Sequence, residues 1–232
     1  MSQLVAYTLA DSIATIGMDD GKVNALSLQM LTALNTALDR AEADGATVLL
    51  TGRDGIFSAG FDLATIRRAD DDTGKMVRAG FELAERLLAF PAPVVIACAG
   101  HAIAMGLFLV LSGDYRVGVA GPYKITANEV AIGLTMPRSA VEILRQRLAP
   151  SYFNRAVILA EPFSPEDAVQ AGFLDRVVAP GELLDTARAI ATQVAALPRA
   201  AHKASKLRAR AQTLAAVRAA MDADVAEFSG RA

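Results

Sequence analysis

The hydrophobic pattern of the first fifty residues predicts two strands, a helix and a further strand. Apolar side chains fill residues 4–9 and 13–18, and the short polar break between them is typical of a hairpin. Behind Ser27, a good helix cap, apolar residues recur at helical spacing. They are Leu28, Leu31, Leu34 and Leu38. We expect this helix to end near residues 44–45 and a short buried strand to follow at residues 48–51.

The alternation of strand and helix continues up to residue 178. A helix is predicted over residues 73–90, where Pro91 and Pro93 stop it. The other predicted elements are strands at residues 115–119, 123–126 and 177–178, and helices that begin after Pro137 and at Ser164. Strands that alternate with helices imply an α/β fold with a largely parallel sheet, right-handed crossovers and a site at the strand ends.

Residues 94–111 form the most apolar stretch, and His101 is its only strongly polar side chain. The stretch is long enough to suggest a membrane span. However, β-branched residues open it, Gly100 interrupts it and a leucine-rich segment follows Gly106. A buried strand, a tight turn and a buried helix explain this pattern better, so we expect no membrane span.

The end of the chain has a different character, since residues 181–228 are alanine-rich and favour helix throughout. We therefore divide the chain into a core at residues 1–178 and a helical region at residues 179–232. The alanine and leucine content of this region exceeds what a lone surface helix normally exposes. We expect the region to pack against neighbouring subunits.

Composition narrows the function to small-molecule chemistry. The chain has 232 residues, of which 53% are hydrophobic, and its 23 Lys and Arg nearly balance its 25 Asp and Glu. This balance disfavours a nucleic-acid surface or a polybasic membrane patch. The single cysteine, Cys98, lies in an apolar run and is expected to be inert. With no disulfide within the chain and no signal-peptide pattern, we expect a cytoplasmic protein.

Candidate chemistry lies in two glycine segments and one acid. Residues 57–63 and 99–106 each follow a strand-like run and can turn a backbone N–H inward, and two such donors on one oxygen stabilise an enolate. Glu129 then supplies the base. Its apolar neighbours at residues 130–136 indicate a desolvated position, which raises the pKa of a carboxylate towards the working pH.

These segments resemble the crotonase superfamily, the enoyl-CoA hydratase and isomerase group of acyl-CoA enzymes. Residues 24–27, 100–114 and 168–178 match as well, so the resemblance covers nearly the whole chain. It implies a crotonase-like spiral of ββα turns with a C-terminal helical trimerisation region, assembled as a homotrimer or homohexamer. It also implies an acyl-CoA thioester substrate, in which coenzyme A belongs to the substrate and no separate cofactor is needed.

The resemblance also assigns roles to individual residues. The oxyanion donors fall on the backbone N–H groups of Phe61 and Met105, and Glu129 is the catalytic acid. The residues expected along the acyl chain and pantetheine are Ala59, Gly60, Asp62, Leu63, Gly106 and Phe108, and Lys206 is the best-matched basic residue for the coenzyme A phosphates.

Phe108 decides between the two activities of the group. Hydratases carry two glutamates that activate water, and the first aligns with Phe108, which cannot transfer a proton. One retained acid beside an apolar position resembles the Δ3,Δ2-enoyl-CoA isomerases, in which one carboxylate moves the proton through a dienolate. A hydratase and a non-catalytic acyl-CoA-binding homologue remain alternatives.

Each candidate residue also has a structural interpretation. Glu129 can pair with Arg116, Lys124 or Arg138, and the glycines can simply allow close backbone packing. His101 is more typical of a core or turn position, and His202 is expected to be exposed. Two histidines so far apart, with no acid or cysteine cluster at ligand spacing, predict no metal site.

Overall fold

The computed structural model describes residues 4–230 and has the mixed α/β architecture that the sequence predicts. The strands are β1 (Val5–Ala10), β2 (Ile13–Met18), β3 (Thr47–Thr51), β4 (Gly55–Ser58), β5 (Val94–Cys98), β6 (Gly100–Ile103), β7 (Tyr115–Val119), β8 (Ile125–Thr126) and β9 (Arg176–Val178). The helices are α1 (Leu28–Ala43), α2 (Leu63–Ile66), α3 (Asp71–Ala89), α4 (Met105–Leu111), α5 (Arg138–Arg145), α6 (Pro150–Val157), α7 (Pro165–Ala171), α8 (Leu183–Ala195), α9 (Arg199–Ala209) and α10 (Ala211–Phe228).

The strands form two sheets, and from β3 onward successive strands belong alternately to the large and the small sheet. The large sheet has the order β1-β2-β3-β5-β7-β9, in which only the first pair is antiparallel. The small sheet has the order β4-β6-β8 and is parallel throughout. Each of β3, β5 and β7 lies in the large sheet, and the strand that follows it lies in the small sheet. Each such pair of consecutive strands forms one turn of a spiral. This arrangement confirms the expected spiral of ββα turns.

Local turn and cap chemistry sets several of the element boundaries. Asp11 and Ser12 make the β1–β2 hairpin with φ values of +51° and +60°. The Ser27 hydroxyl accepts the Met30 N–H at 3.2 Å at the start of α1. Ser164 accepts the Asp167 N–H at 3.1 Å at the start of α7. These boundaries agree with the sequence prediction because each depends on residues close together in the chain.

The apolar stretch at residues 94–111 contains one more strand than predicted. Gly100–Ile103 is not a turn but β6, which pairs with β4 and β8 in the small sheet. Helix α4 then begins at Met105. Among the described residues, no helix is long and apolar enough to cross a membrane.

The helices at residues 183–228 cover the core of the same chain. Helix α8 packs on the large sheet, and α10 packs on α3 and α5. The main hydrophobic cluster includes Leu214, Val217 and Met221 of α10. From the same helix, the Asp224 carboxylate accepts the N–H groups of residues 138 and 139 at the start of α5, both at 2.8 Å. The last helix therefore closes one side of the molecule.

Candidate active site

The two glycine segments lie side by side because β4 and β6 are paired strands. After each strand the chain turns through a residue with positive φ, +88° at Gly60 and +51° at Ala104. A Cβ placed on Gly60 would lie 2.9 Å from the Ala104 Cβ and 3.3 Å from the Met105 nitrogen. Only glycine permits this approach, which brings the Met105 N–H close to the loop that carries Phe61.

Two backbone N–H groups at this junction take no part in the regular hydrogen bonding of the elements that they flank. Met105 is the first residue of α4, and the first N–H groups of a helix have no acceptor within it. On the other loop, a bridge joins Leu26 and Phe61 through the Leu26 N–H, which donates to the Gly60 carbonyl at 2.8 Å. This register leaves the Phe61 N–H outside the ladder.

Ala104 holds the Met105 N–H in place through a strained backbone. Its φ of +51° and ψ of −128° suit glycine, and a non-glycine residue in such a region costs about 1–3 kcal/mol. The Ala104 N–H donates to the Thr126 carbonyl at 2.9 Å, and its carbonyl accepts the Phe108 N–H at 3.1 Å. These bonds keep the strained conformation, which is typical of a functional turn.

A buried polar network fixes the Phe61 loop from behind. The Asn24 amide donates to the carbonyls of Met18 and Phe57, each at 3.1 Å. The Ser58 hydroxyl donates to the Asn24 carbonyl at 2.7 Å and accepts the Gly60 N–H at 3.1 Å. Sequence analysis placed Asn24 in a matching segment but assigned it no role, because its partners lie in other elements.

Asp62 ends the same loop as the cap of α2. Its carboxylate accepts the Thr65 N–H at 2.9 Å and the Thr65 hydroxyl at 2.6 Å. The hydroxyl bond is the largest cause of the lowered pKa of Asp62. A charged cap of this kind fixes the turn immediately after Phe61.

Glu129 is a buried acid at the turn that follows β8. Its side chain is 5% exposed, and its Oε2 has no hydrogen-bond partner within the described structure. Burial raises the pKa of Glu129 to about 7, against a smaller lowering by its own backbone N–H. A carboxyl group with this pKa gains and loses a proton readily near neutral pH.

The ion-pair interpretation of Glu129 fails for all three of its candidate partners. Arg116 instead pairs with Asp175 at 2.7 Å. Arg138 pairs with Asp224 and Glu227 at 3.4 and 2.8 Å. No cation between residues 4 and 230 lies within ion-pair distance of Glu129, so its charge is not neutralised by a neighbour.

Glu129, Phe61 and Phe108 line one pocket, which holds about 610 Å³ of empty space including its open mouth. The ring of Phe81 joins the other two: it meets Phe61 edge-on and stacks on Phe108, each with centroids 6.4 Å apart. The remaining wall is mostly apolar, and its residues are Ala59, Leu63, Ile66, Val77, Ala104, Asn128, Ile132, Leu134, Pro137 and Phe228. The pocket therefore combines one acid with an apolar enclosure.

The other predicted acyl-chain residues stand behind this surface. Gly60, Asp62 and Met105 shape the two loops, and the Met105 side chain is 1% exposed. At Gly106, a Cβ would lie 2.6 Å from the Ser58 carbonyl oxygen. Gly106 thus lets α4 approach the end of β4, which is the packing role expected of glycine.

The family assignment follows from residues 8–230, which match the family model described as enoyl-CoA hydratase/isomerase. The chain belongs to the enoyl-CoA hydratase/isomerase family. An enoyl-CoA hydratase of Mycobacterium marinum has a similar structure, with a TM-score of 0.93, 49% identity and coverage of 97% of this chain and 99% of that one. An enoyl-CoA isomerase of Mycobacterium tuberculosis has a TM-score of 0.94 and 49% identity, with coverage of 98% and 100%.

Among curated members of the enoyl-CoA hydratase/isomerase family, the human mitochondrial enoyl-CoA delta isomerase 1 is 31% identical over 230 residues. The match covers 97% of this chain and 76% of the human protein. Similar proteins therefore carry both names, hydratase and isomerase, and the names alone do not choose between the two activities.

Lys206 does not line the pocket that contains Glu129. Its ammonium donates to the carbonyls of Phe90 and Ala92, each at 3.0 Å, and to the Asp114 carboxylate at 2.7 Å. The side chain is buried, and its three donors are all used. Within one chain, the Lys206 ammonium therefore joins a structural ion pair, and its assignment to the coenzyme A phosphates stays a prediction. Sequence analysis missed this because Asp114 lies far away in the chain.

Neither histidine lies in the pocket. His101 accepts the Lys124 N–H on Nδ1 at 2.9 Å, as expected of a turn histidine. His202 was predicted to be exposed, but its side chain is only 15% exposed and lies 3.9 Å from Asp114. Within residues 4–230, no group of histidine, cysteine and acidic side chains could hold a metal ion.

Proposed function

We propose that this protein is an enoyl-CoA isomerase that converts 3-enoyl-CoA esters to 2-enoyl-CoA esters. The observation that carries the proposal is a single unpaired acid, Glu129, in a pocket where Phe108 is 1% exposed and cannot transfer a proton. The substrate carries coenzyme A, and the reaction needs no other cofactor.

In this mechanism the Glu129 carboxylate removes a proton from C2 of the 3-enoyl thioester. The electrons of the broken C–H bond move onto the thioester oxygen, which becomes the oxyanion of a dienolate. The N–H groups of Phe61 and Met105 stabilise that oxyanion. The carboxylic acid form of Glu129 then returns the proton to C4, and the electrons re-form the thioester carbonyl and the double bond between C2 and C3.

The apolar pocket favours this reaction in two ways. Burial among Phe81, Phe108 and Leu134 gives Glu129 a pKa of about 7, so that both protonation states are accessible during one cycle. The same enclosure keeps bulk water away from the dienolate, which water would otherwise protonate.

Hydration of 2-enoyl-CoA is the second candidate activity, and one observation favours it. Asn128 Oδ1 and Glu129 Oε2 are both buried without a partner, and both residues line the pocket. A water molecule that donates to both oxygens would satisfy them and could attack the substrate. This hydratase would use Asn128 where other hydratases use a second acid.

One purified sample tests the two activities against each other with 2-enoyl-CoA and 3-enoyl-CoA of equal chain length. We expect migration of the double bond to outpace formation of 3-hydroxyacyl-CoA. If hydration is faster, the isomerase assignment is wrong, and loss of hydration in Asn128→Leu would identify the water site. If neither ester reacts although acyl-CoA binds, the protein is a non-catalytic acyl-CoA-binding homologue.

We further propose that the protein forms a homotrimer or homohexamer in the cytoplasm. Leu184 and Leu197 in the C-terminal region are about half exposed, which supports an interface there. Light scattering tests the assembly, and a monomer at micromolar concentration would contradict it. The division at residue 178 and the cytoplasmic location stay predictions.

A further inference from the structure

Gly80 occupies an unfavourable place for glycine, the buried middle of helix α3. Glycine in a helix interior is about 1 kcal/mol less favourable than alanine. No bend is needed there, since α3 runs unbroken over Asp71–Ala89. The absence of a side chain at residue 80 must therefore benefit the residues that pack against this part of α3.

Two side chains of the candidate active site pack on Gly80. A Cβ at this position would lie 2.4 Å from Phe61 Cε1 and 2.5 Å from Phe61 Cζ. It would also lie 3.5 Å from Met105 Cγ. The next residue, Phe81, meets the Phe61 ring edge-on at 6.4 Å. One face of α3 thus supports the side chains of both residues whose N–H groups point at the proposed oxyanion.

The position of the Phe61 ring matters because the ring is attached to one of the two donors. An oxyanion hole works when its N–H groups lie about 2.7–3.1 Å from the oxygen, and displacements of about 1 Å cost up to 10² in rate. The ring packs on two consecutive residues of α3, Gly80 and Phe81. A methyl group at residue 80 would push the ring away from α3, and the part of this displacement that the side-chain torsions do not absorb would move the backbone of Phe61.

We propose that Gly80 is a positioning residue for the oxyanion hole: the absence of a Cβ sets how deeply Phe61 and Met105 seat against α3, and hence where their N–H groups point. This inference rests on the proposed function in one respect, since it takes these two N–H groups as the donors. Gly80 itself, a residue of α3, does not touch the substrate.

Gly80→Ala tests the inference, and Gly74→Ala is its matched control. Gly74 lies on the same helix, and a Cβ there would meet only Val225 of α10 and Ser229, the residue after α10, each at 3.3 Å. Both changes raise helix propensity equally. We expect Gly80→Ala to lower kcat for 3-enoyl-CoA about tenfold or more with KM within about threefold, because the donors act in the transition state. Gly74→Ala should keep kcat within about twofold of the parent protein.

A second measurement reports on the oxyanion hole without requiring the enzyme to turn over a substrate. Acetoacetyl-CoA forms an enolate with its own ultraviolet absorption band, and hydrogen bonds to the enolate oxygen lower the pKa of the bound ligand. We expect Gly80→Ala to raise this pKa by about one unit relative to the parent protein and to Gly74→Ala, which matches a tenfold loss of stabilisation. A general loss of stability would not change the ligand pKa in a protein that stays folded.

Rescue by Phe61→Leu completes the test. Leucine lacks the Cε1 and Cζ atoms that meet the new methyl group but keeps the backbone N–H. The double variant is compared with Phe61→Leu alone. Adding Gly80→Ala to Phe61→Leu should change kcat by less than about threefold and the enolate pKa by less than about half a unit.

The outcomes separate this inference from the proposed function. If the parent protein gives no enolate with bound acetoacetyl-CoA, the oxyanion hole itself is wrong, and with it the role of Gly80. If the parent enolises the ligand and Gly80→Ala enolises it equally, the proposed function stands and only the positioning role is overturned. If adding Gly80→Ala to Phe61→Leu raises the enolate pKa as much as Gly80→Ala does in the parent protein, the positioning role is also overturned.

Discussion

The ring of Phe81 stacks on the ring of Phe108 with centroids 6.4 Å apart and planes inclined by 18°. Both rings are buried, and both line the pocket that contains Glu129. This pair replaces water on one side of the acid with apolar surface. Desolvation of Glu129 therefore has a structural source, and it affects both stability and rate.

Glu129→Gln should make the protein more stable at alkaline pH. The folded-state pKa of about 7 lies above the ordinary value of 4.5, so the folded protein holds this proton more tightly than the unfolded chain does. Stability is then lost as pH rises from about 4.5 through 7, and the loss is about 3 kcal/mol at pH 8. Replacing Glu129 by glutamine removes this pH-dependent loss of stability. Urea unfolding at pH 5 and pH 8 should show an advantage for the variant that grows with pH.

The control for this stability effect is the same change at an exposed site. Glu166→Gln, in the first turn of α7, should alter stability by less than about 0.5 kcal/mol at either pH. A Glu129→Gln protein that is less stable than its parent at pH 8 would show that the carboxylate has a stabilising partner.

The rate of the proposed isomerisation should depend on pH through Glu129. The base must be ionised, so kcat/KM should rise with pH and level off above about 7. Glu129→Gln should lower kcat by about 10² or more with little change in acyl-CoA affinity. Steady-state kinetics between pH 5 and 9 measure both effects. Equal turnover in parent and variant would rule out Glu129 as the base.

Met105→Pro and Met105→Ala form a pair that isolates one N–H group. Both remove the buried side chain, but only proline removes the donor. Met105 is the first residue of α4, where a helix tolerates proline, but the proline ring adds strain at the preceding residue, Ala104. We expect the proline variant to lose about 3 kcal/mol of transition-state stabilisation relative to the alanine variant. Circular dichroism must show that both are folded, and similar kcat values would place the second donor elsewhere.

Ala104→Gly should be neutral or stabilising, which is unusual for an alanine preceding a helix. The strain at φ +51° and ψ −128° disappears with glycine, while the Met105 N–H stays in place. The same change at the exposed, mid-helix Ala219 should cost about 1 kcal/mol. Thermal unfolding compares the two. A larger loss at Ala104 than at Ala219 would mean that the turn is unstrained.

Lys206→Met should affect stability and not coenzyme A recognition. The change leaves the carbonyls of Phe90 and Ala92 without their donor and removes one of the two cations from Asp114, which keeps Arg210 at 3.0 Å; the cost is about 1–3 kcal/mol. If the folded variant keeps its KM for acyl-CoA, the structural role is confirmed. A KM that rises tenfold in a stably folded variant would return Lys206 to the phosphate site.

Sequence patterns predicted those features that depend on neighbours in the chain. The hairpin at Asp11, the cap at Ser27 and the acid in an apolar setting, Glu129, were all recognisable from local composition. Strand β6 was missed because a buried strand of four residues has no period that separates it from a turn. The partner of Lys206 and the role of Gly80 depend on contacts between distant segments, and no local signal marks them.

Phe228, the last residue of α10, contributes to the wall of the same pocket that Glu129 lines. The wall of this pocket is therefore completed by α10, which is anchored to α5 through Asp224. A tag fused close behind Phe228 would lie near this pocket, whereas one on the amino-terminal side would join the chain near edge strand β1, which does not line it. Kinetic constants for this protein are best measured with an amino-terminal tag or with the tag removed.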